Sequence, residues 1–278
     1  MFPFSLSERL IKGDSFQARL NDHTAVVTGA SRGIGRALAL AFSKAGARVA
    51  LLSRNQEALD ALSREIRDQG GAQSVAIRCD VSSEGDVKNA FARLEETFGD
   101  PDIVINNAGI YVTYPVKDHD TESWNQVLQT NLTGAMLVSR AALTPMIERS
   151  WGRIINISSI SGRTGEAFGS AYSASKFGLI GLTQSLALEV AKHSITVNAI
   201  CPGWVKTEMA ISQLEDPKWC NLNSIEPSES QAIACMSVPQ ERLIEPEEVA
   251  DLALFLATDA ARGITGQSIN ICGGMSLH

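Results

Sequence analysis

From residue 24 onward, short apolar runs alternate with longer segments in which hydrophobic residues recur every three or four positions. The short runs are continuously apolar and rich in β-branched residues, which is typical of strands covered by helices on both faces. A glycine follows two of the longer segments, Gly33–Ala45 and Ser83–Phe98, where a left-handed helix cap is expected. This alternation predicts an α/β fold with a doubly wound parallel sheet of about seven strands. The predicted strands are Thr24–Val27, Arg48–Leu52, Ser74–Arg78, Ile103–Asn106, Ile154–Ile157, Thr196–Ile200 and Ser268–Ile271.

The alternation breaks once, in the proline-interrupted segment between Gly203 and Pro246. A long irregular stretch inside a compact domain is usually functional or disordered. Because it follows the sixth predicted strand, it leaves the sheet at a carboxyl edge, where open α/β sheets bind ligands. We therefore predict a substrate lid over residues 204–245, with a passive surface insertion as the alternative. Residues 1–20 form an N-terminal extension in this scheme, and residues 21–278 form a single domain.

The overall composition excludes several classes of protein. Of the 278 residues, 44% are hydrophobic, and no window approaches the roughly 18 uninterrupted apolar residues that a membrane helix needs. The net charge of −7 gives no positive field that could hold nucleic acid or an anionic membrane. The five cysteines and four histidines lack the spacing of a disulfide framework or a metal site, so no metal is expected. The N-terminal stretch lacks the features of a secretory signal or transit peptide, which favours a cytoplasmic protein.

A glycine-rich turn, Thr28-Gly29-Ala30-Ser31-Arg32-Gly33-Ile34-Gly35, follows the first predicted strand and opens a helical run. Glycines at these places let backbone amide groups approach a pyrophosphate, whose charge the helix N-terminus stabilises. Such a turn alone is often only a tight bend, but inside a βαβ unit it predicts a Rossmann-type dinucleotide site. We expect the cofactor to contact Gly29, Ser31, Arg32, Gly33, Ile34 and Gly35.

The end of the second predicted strand bears on the choice of dinucleotide. NAD-specific folds usually place an acidic residue here to bind the adenosine ribose hydroxyls. This chain has Ser53 followed by Arg54 instead, so a 2′-phosphate is not repelled. Arg54 and Arg32 could hold that phosphate through their guanidinium groups. We therefore predict NADP(H) as the cofactor; the alternative is that Arg54 is a solvated surface charge.

A candidate catalytic pair, Tyr172 and Lys176, is spaced four residues apart at the start of a helical run, so both side chains project from one face. A neighbouring ammonium is expected to lower the tyrosine pKa from about 10 toward working pH, which suits proton transfer to a carbonyl oxygen. Alone, the pair also fits a solvated helix surface. Ser159, just past the fifth predicted strand, could hydrogen-bond the same substrate oxygen. The nearby Ser158 and Ser161 are interpreted as structural.

These motifs together resemble the short-chain dehydrogenase/reductase family. The other matches are Asn106-Asn107-Ala108-Gly109 after the fourth predicted strand, Asn131, and Pro202-Gly203 after the sixth. The set spans residues 24 to 274 in the family's order. Within the family, the chain is most similar to 3-oxoacyl-[acyl-carrier-protein] reductases and polyketide ketoreductases.

The resemblance implies roles for residues at matching positions. Lys176 and Tyr172 would contact the cofactor as well as serve catalysis, and Asn131 would link Lys176 to a proton-relaying water; a helix cap is the alternative for Asn131. Asp80 could equally be a simple turn residue. The further implied contacts are Asp80 and Val81 at the adenine, Asn107, Ala108 and Gly109 at the adenosine ribose, and Val205 and Thr207 at the nicotinamide carboxamide.

The predicted function is therefore reduction of a ketone by NADPH, with a free or carrier-tethered 3-oxoacyl compound as substrate. One alternative is a secondary alcohol or 3-hydroxyacid dehydrogenase that works oxidatively with NAD(P). Another, from a different class, is a dinucleotide-binding regulator without turnover. The resemblance also implies a homotetramer that pairs through long apolar helices beginning near Asn131 and Tyr172. Burial of both helices within one subunit is the alternative.

Overall fold

A computed structural model of the chain describes residues 19–277. The predicted N-terminal extension, residues 1–20, lies outside the described residues apart from Arg19 and Leu20. Leu20 is buried in the main core, and its backbone N–H donates to the carbonyl of Ala45 at 2.8 Å. Within residues 19–277, no helix combines the length and apolar character required to cross a bilayer.

The described residues contain one parallel sheet of seven strands, which confirms the predicted fold. The strands are β1 (Thr24–Thr28), β2 (Arg48–Ser53), β3 (Ser74–Arg78), β4 (Ile103–Asn106), β5 (Gly152–Ile157), β6 (Ile195–Pro202) and β7 (Ser268–Ile271). Their order across the sheet is β3-β2-β1-β4-β5-β6-β7. Strands β1 to β3 are thus added in turn toward one edge of the sheet. The chain then crosses back to β4, and strands β4 to β7 are added toward the other edge. Beyond the carboxyl ends of β1 and β4, this reversal opens the crevice where such sheets bind ligands.

Helices cover both faces of the sheet. They are α1 (Gly33–Lys44), α2 (Gln56–Asp68), α3 (Glu84–Phe98), α4 (Thr121–Leu128), α5 (Gly134–Arg149), α6 (Ser170–Val190), α7 (Glu208–Leu214), α8 (Pro217–Asn223), α9 (Ser230–Met236) and α10 (Pro246–Ala257). Successive strand residues point to opposite faces. Accordingly, Ala25 and Val27 join the core beneath α1, α2 and α10, whereas Val26 joins the core beneath α3, α5 and α6. This two-sided burial explains why the strands are apolar throughout.

The helix before β5 starts earlier than the sequence predicted. Its first part, α4, begins after Asp120, whose carboxylate accepts from the N–H of Ser123 at 2.7 Å. A π-helical turn, Gln129–Thr133, then connects α4 to α5 without a break, and the N–H of Gly134 donates to the carbonyl of Gln129. Asn131 therefore lies inside a continuous helix, and its interpretation as a helix cap is wrong.

Residues 204–245 are more regular than their prolines suggested. They contain α7, α8 and α9, each seven residues long. The side chains of Thr207 and Asp216 cap α7 and α8. Helices of two turns are too short to give a recognisable hydrophobic period, so the sequence pattern missed them. The segment also has a small apolar cluster of its own, formed by Leu214, Trp219, Cys220 and Ala234.

Candidate active site

One cavity of about 1120 Å³ runs along the carboxyl ends of the strands and brings together residues that are far apart in the chain. It includes every predicted site residue except Asn131, which is buried behind it. The predicted residues that line it are Gly29, Ser31, Arg32, Gly33, Ile34, Gly35, Ser53, Arg54, Asp80, Val81, Asn107, Ala108, Gly109, Ser159, Tyr172, Lys176, Val205 and Thr207.

The glycine turn has the shape that a pyrophosphate needs. Gly29 and Gly33 have φ values of +65° and +53°, which favour glycine. A Cβ on Gly29 would lie 2.9 Å from the Cα of Ala108, so a side chain here would push the turn away from its neighbour. Helix α1 begins at Gly33, and no side chain caps its N-terminus. The residues present therefore fit a bound dinucleotide, whose phosphates such a helix end stabilises.

Asn107 supports the glycine turn from the neighbouring strand end. Its side-chain amide donates to the carbonyl of Thr28 at 2.9 Å. The Thr28 hydroxyl in turn accepts from the N–H groups of Asn107 and Ala108, both at 3.0 Å. The loops after β1 and β4 are thus held together by hydrogen bonds that involve no ligand.

The adenosine end of the cavity is more open. Arg54 is exposed and forms no salt bridge within residues 19–277. The Ser53 hydroxyl accepts from the N–H of Asn55 at 3.2 Å. Burial alone would raise the pKa of Asp80, but hydrogen bonds from Ser82 and the nearby Arg54 charge outweigh it and lower that pKa. Asp80 therefore accepts hydrogen bonds within its own turn, as expected if it is a turn residue, and it also lies near the charge of Arg54.

Arg32 points toward the segment of residues 204–245. Its guanidinium lies 3.0 Å from the carboxylate of Glu208, in a pair whose side chains are 63% and 69% exposed. Thr207 precedes that glutamate and packs against Gly33, while its hydroxyl accepts from the N–H of Ala210. The start of α7 therefore rests on the glycine turn. A phosphate role for Arg32 stays a prediction, and it requires Arg32 to share or exchange its present partner.

Lys176 is buried beneath Tyr172 on α6. Only 4% of its surface is exposed, and its ammonium donates to the carbonyl of Ile157 at 2.8 Å. Burial lowers the pKa of Lys176 to about 8, an effect that the neighbouring Cys201 opposes. The nitrogen lies 5.4 Å from the centre of the Tyr172 ring. The spacing of four residues therefore does place both groups on one face.

The expected effect of Lys176 on Tyr172 is wrong for this structure. The pKa of Tyr172 is raised, first by burial and then by the carboxylate of Glu166, while the Ser159 hydroxyl opposes the rise. Lys176 is not among the groups that shift this pKa. Tyr172 is therefore a phenol at neutral pH, with Ser159 beside its hydroxyl.

Asn131 lies behind the cavity and is hydrogen-bonded to residues next to the catalytic groups. Its side-chain amide donates to the carbonyl of Ile110 at 2.9 Å and to Ser175 at 3.1 Å, and its carbonyl oxygen accepts from the N–H of Ile110 at 2.8 Å. A Cβ on Gly109 would lie 3.5 Å from that oxygen and 3.7 Å from the Lys176 nitrogen. Asn131 and Lys176 are thus close neighbours, separated by the backbone after β4.

Sequence reasoning missed Glu166, Tyr111 and Gln213, which also line the cavity. The Glu166 carboxylate accepts from Tyr111 at 2.8 Å, from Ser161 at 2.9 Å and from Gln213 at 3.1 Å. An isolated acid in a loop has no periodicity and no motif that would single it out. Of the two serines interpreted as structural, Ser158 fits that interpretation, since its hydroxyl donates to the carbonyl of Lys176 at 3.0 Å.

A dinucleotide-shaped glycine turn and a Tyr-Lys pair in one cavity define an oxidoreductase of the Rossmann type. The model of the short chain dehydrogenase family matches residues 23–218, well over half of the chain. The chain belongs to this family. Among residues 19–277, no group of three or more His, Cys, Asp or Glu side chains is arranged to hold a metal ion.

Several relatives match over nearly their whole length. A 3-oxoacyl-[acyl-carrier-protein] reductase of Aquifex aeolicus is 36% identical over 93% of this chain and 99% of its own. A D-beta-hydroxybutyrate dehydrogenase of Rhizobium meliloti is 35% identical over 92% of this chain and 99% of its own. Among solved structures, a variant actinorhodin polyketide ketoreductase with NADPH has a TM-score of 0.87, with 37% identity over 91% of this chain and 97% of its own.

Proposed function

We propose that this protein reduces the ketone of a 3-oxoacyl substrate to a secondary alcohol with NADPH as hydride donor. The observation that carries the proposal is the meeting of Tyr172, Ser159 and Lys176 in the cavity that also contains the glycine turn. The proton donor Tyr172, the hydroxyl of Ser159 that would hydrogen-bond the substrate oxygen, and the glycine turn then line the same cavity. Because its pKa is raised, Tyr172 keeps its proton at neutral pH and is present in the protonated form that ketone reduction requires.

In the proposed reaction, Ser159 and Tyr172 hydrogen-bond the substrate carbonyl oxygen and hold it in place. A bound nicotinamide supplies a hydride, with its electron pair, to the carbonyl carbon. As the carbon–oxygen π electrons move onto oxygen, Tyr172 transfers its proton there and Ser159 supports the developing charge. Lys176, protonated below a pKa of about 8, stabilises the phenolate that remains. Asn131 keeps Lys176 and the backbone after β4 in position.

The preference for NADPH rests on the adenosine end of the cavity. Ser53 stands where an acid would repel a 2′-phosphate, and the exposed Arg54 is available to bind one. The relative solved with NADPH supports the same choice. Cofactor contacts of Asp80, Val81, Asn107, Ala108, Gly109, Val205 and Thr207 are part of this proposal.

An oxidative 3-hydroxyacid dehydrogenase is the second candidate, because relatives named D-beta-hydroxybutyrate dehydrogenases match at 35% identity. One assay separates the two. Purified protein is given NADPH or NADH with acetoacetyl thioester, and NADP⁺ or NAD⁺ with 3-hydroxybutyrate. We expect the highest kcat/KM with NADPH and the thioester. Faster oxidation of free 3-hydroxybutyrate with NAD⁺ would favour the second candidate, and no turnover in any arm would favour a regulator.

We also propose a homotetramer in which α6 contributes to a subunit interface. Phe177 and Leu188 on this helix are 46% and 85% exposed, although both are large and apolar. Exposed apolar side chains indicate a protein–protein interface when they belong to a contiguous patch. Light scattering at micromolar concentration tests the assembly, and a monomeric mass would contradict it.

A further inference from the structure

The Glu166 carboxylate is a negative charge inside the cavity that forms no ion pair with any residue from 19 to 277. Its three hydrogen-bond donors, Tyr111, Ser161 and Gln213, are all neutral. Neutral donors do not cancel the field of a carboxylate, so a ligand beside Glu166 meets its negative charge.

This charge lies next to the catalytic groups. Tyr111, which donates to Glu166, has its ring 5.2 Å from that of Tyr172 in an edge-to-face contact. Ser161 links the same carboxylate to Ser159, because its N–H donates to the Ser159 hydroxyl at 3.0 Å. Gln213, on α7, donates to the same carboxylate. A substrate whose carbonyl oxygen meets Ser159 and Tyr172 therefore has Glu166 close to one of its substituents.

From this geometry we infer that Glu166 is a specificity-determining residue that excludes anionic substrates, so that the enzyme accepts a 3-oxoacyl group as a neutral ester or thioester and rejects the free 3-oxo acid. The inference rests on the proposed function and narrows its substrate class. A free 3-oxo acid carries its carboxylate only two carbons from the ketone, so it cannot keep its charge far from the catalytic groups. In an ester or thioester the same position is uncharged, and like-charge repulsion is absent.

A second effect of Glu166 on the protein supports its closeness to the reacting atoms. Its charge contributes to the raised pKa of Tyr172, after burial. A carboxylate that acts on the Tyr172 hydroxyl in this way also acts on an anion bound beside that hydroxyl. The repulsion of an anion and part of the rise in the Tyr172 pKa thus have the same source.

The test compares acetoacetate with methyl acetoacetate, two ketones of similar size that differ in charge. NADPH oxidation gives kcat/KM for each, in the wild type and in Glu166→Gln, which keeps the shape and removes the charge. We expect the wild-type preference for the ester to fall at least about tenfold in Glu166→Gln, corresponding to about 1.4 kcal/mol. Because intrinsic reactivity of the two ketones is the same for both proteins, it cancels in this comparison.

Two control variants keep the charge and disturb its surroundings. Ser161→Ala removes one donor to the carboxylate, and Glu166→Asp shortens its reach. Both should retain the wild-type direction of preference. An unchanged ester-to-acid ratio in folded Glu166→Gln, or an equal loss of preference in Ser161→Ala, would overturn the inference. Failure of the wild type to reduce any ketone or thioester would instead contradict the proposed function.

A measurement on the wild type alone covers the case in which Glu166→Gln does not fold. Butyramide and butyrate are compared as inhibitors of ketone reduction, since they differ in charge but share a chain. We expect butyramide to bind more tightly, by about tenfold or more. Equal inhibition constants, or tighter binding of butyrate, would overturn the inference without any substitution.

Discussion

The two ends of the cavity are built differently. At the catalytic end, Lys176 and Asn131 are almost fully buried and hydrogen-bonded to backbone carbonyl groups. At the adenosine end, Arg54 and Arg32 are exposed, and Arg32 has only an exposed partner. The fold itself therefore determines the catalytic geometry, whereas a ligand must order the guanidinium groups. Substitutions at the first end should change the rate of turnover, and those at the second should change the choice of cofactor.

The largest effect is expected for Tyr172→Phe, which keeps the ring and removes the transferable proton. Turnover should fall on the order of 10³-fold, within the range known for loss of a general acid. Dinucleotide affinity, measured by fluorescence titration of NADPH, should change little. A variant that reduces a ketone at near the wild-type rate would show that Tyr172 is not the proton donor.

Ser159→Ala provides the matched comparison, because it removes the neighbouring hydroxyl and keeps the phenol. We expect a loss of about 10²-fold in kcat, typical for one donor to a developing oxyanion. If this variant lost more activity than Tyr172→Phe, the roles of the two hydroxyl groups would have to be exchanged.

Lys176→Met should separate stability from turnover at the same end. The pKa of Lys176 is about 8 in the folded protein and 10.5 as the ordinary value, so the unfolded chain binds more protons between these pH values. The cost of burying the charge is thus fully present below pH 8 and disappears as the pH rises toward 10.5. At pH 7 the methionine variant should be inactive yet more stable, by on the order of 1–3 kcal/mol.

Urea unfolding at pH 7 and at pH 9.5 measures this difference. The advantage of the variant should shrink at the higher pH, because only the wild type loses a buried charge there. Other groups that titrate in this range are common to both proteins and cancel. A variant less stable than the wild type at pH 7 would contradict a net cost of burial for Lys176.

At the adenosine end, Arg54→Ala should alter discrimination and leave catalysis with NADH nearly intact. Loss of one charge-assisted hydrogen bond of about 1.5 kcal/mol corresponds to about a tenfold smaller preference for NADPH over NADH. The measurement is kcat/KM for both cofactors with one ketone. Equal values for the two cofactors in the wild type, or a preference that the substitution leaves untouched, would show that Arg54 does not select the cofactor.

The smallest effect is expected for Glu208→Gln, which frees Arg32 from its salt bridge. Exposed pairs contribute about 0.2–1 kcal/mol, so the preference for NADPH should rise by no more than about fivefold. Isothermal titration with NADP⁺ and NAD⁺ gives the two affinities. A weaker binding of NADP⁺ in this variant would mean that Arg32 needs Glu208 to hold its position.

Sequence alone predicted the fold well because the sheet is buried on both faces. Each strand is then a continuous apolar run, and all seven predicted strands overlap the observed ones. The bounds differ most at the start of β5, which begins at Gly152, and at the end of β6, which extends to Pro202, because glycine and proline are depleted in strands. The helices α7 to α9 were missed because they are too short to show a hydrophobic period. Side chains cap α7 and α8, and all three helices contribute to a local apolar cluster.

Sequence alone predicted the parts of the site that are encoded in local motifs. The glycine turn and the Tyr172–Lys176 spacing are local patterns, and the structure brings both into one cavity. The pKa of Tyr172 was not predictable, because it depends on burial and on Glu166, which is six residues away in an irregular loop. The partner of Arg32, Glu208, is 176 residues away in the chain. Contacts of this kind arise from tertiary structure and leave no mark in a local pattern.

The π-helical turn at Gln129–Thr133 fits one extra residue between α4 and α5 without interrupting the helix. Each residue of a π turn advances by a smaller angle than the roughly 100° of an α-helix, so deleting one residue here and closing the turn to α pitch would leave the phase of α5 nearly unchanged. The apolar positions Leu137, Val138, Ala142 and Met146 would then still face the core that they share with β4 and β5. A one-residue deletion inside α5 itself would instead rotate the residues on one side of it by about 100° relative to that core. This turn is therefore the place where the helix can gain or lose a single codon with least damage to the core.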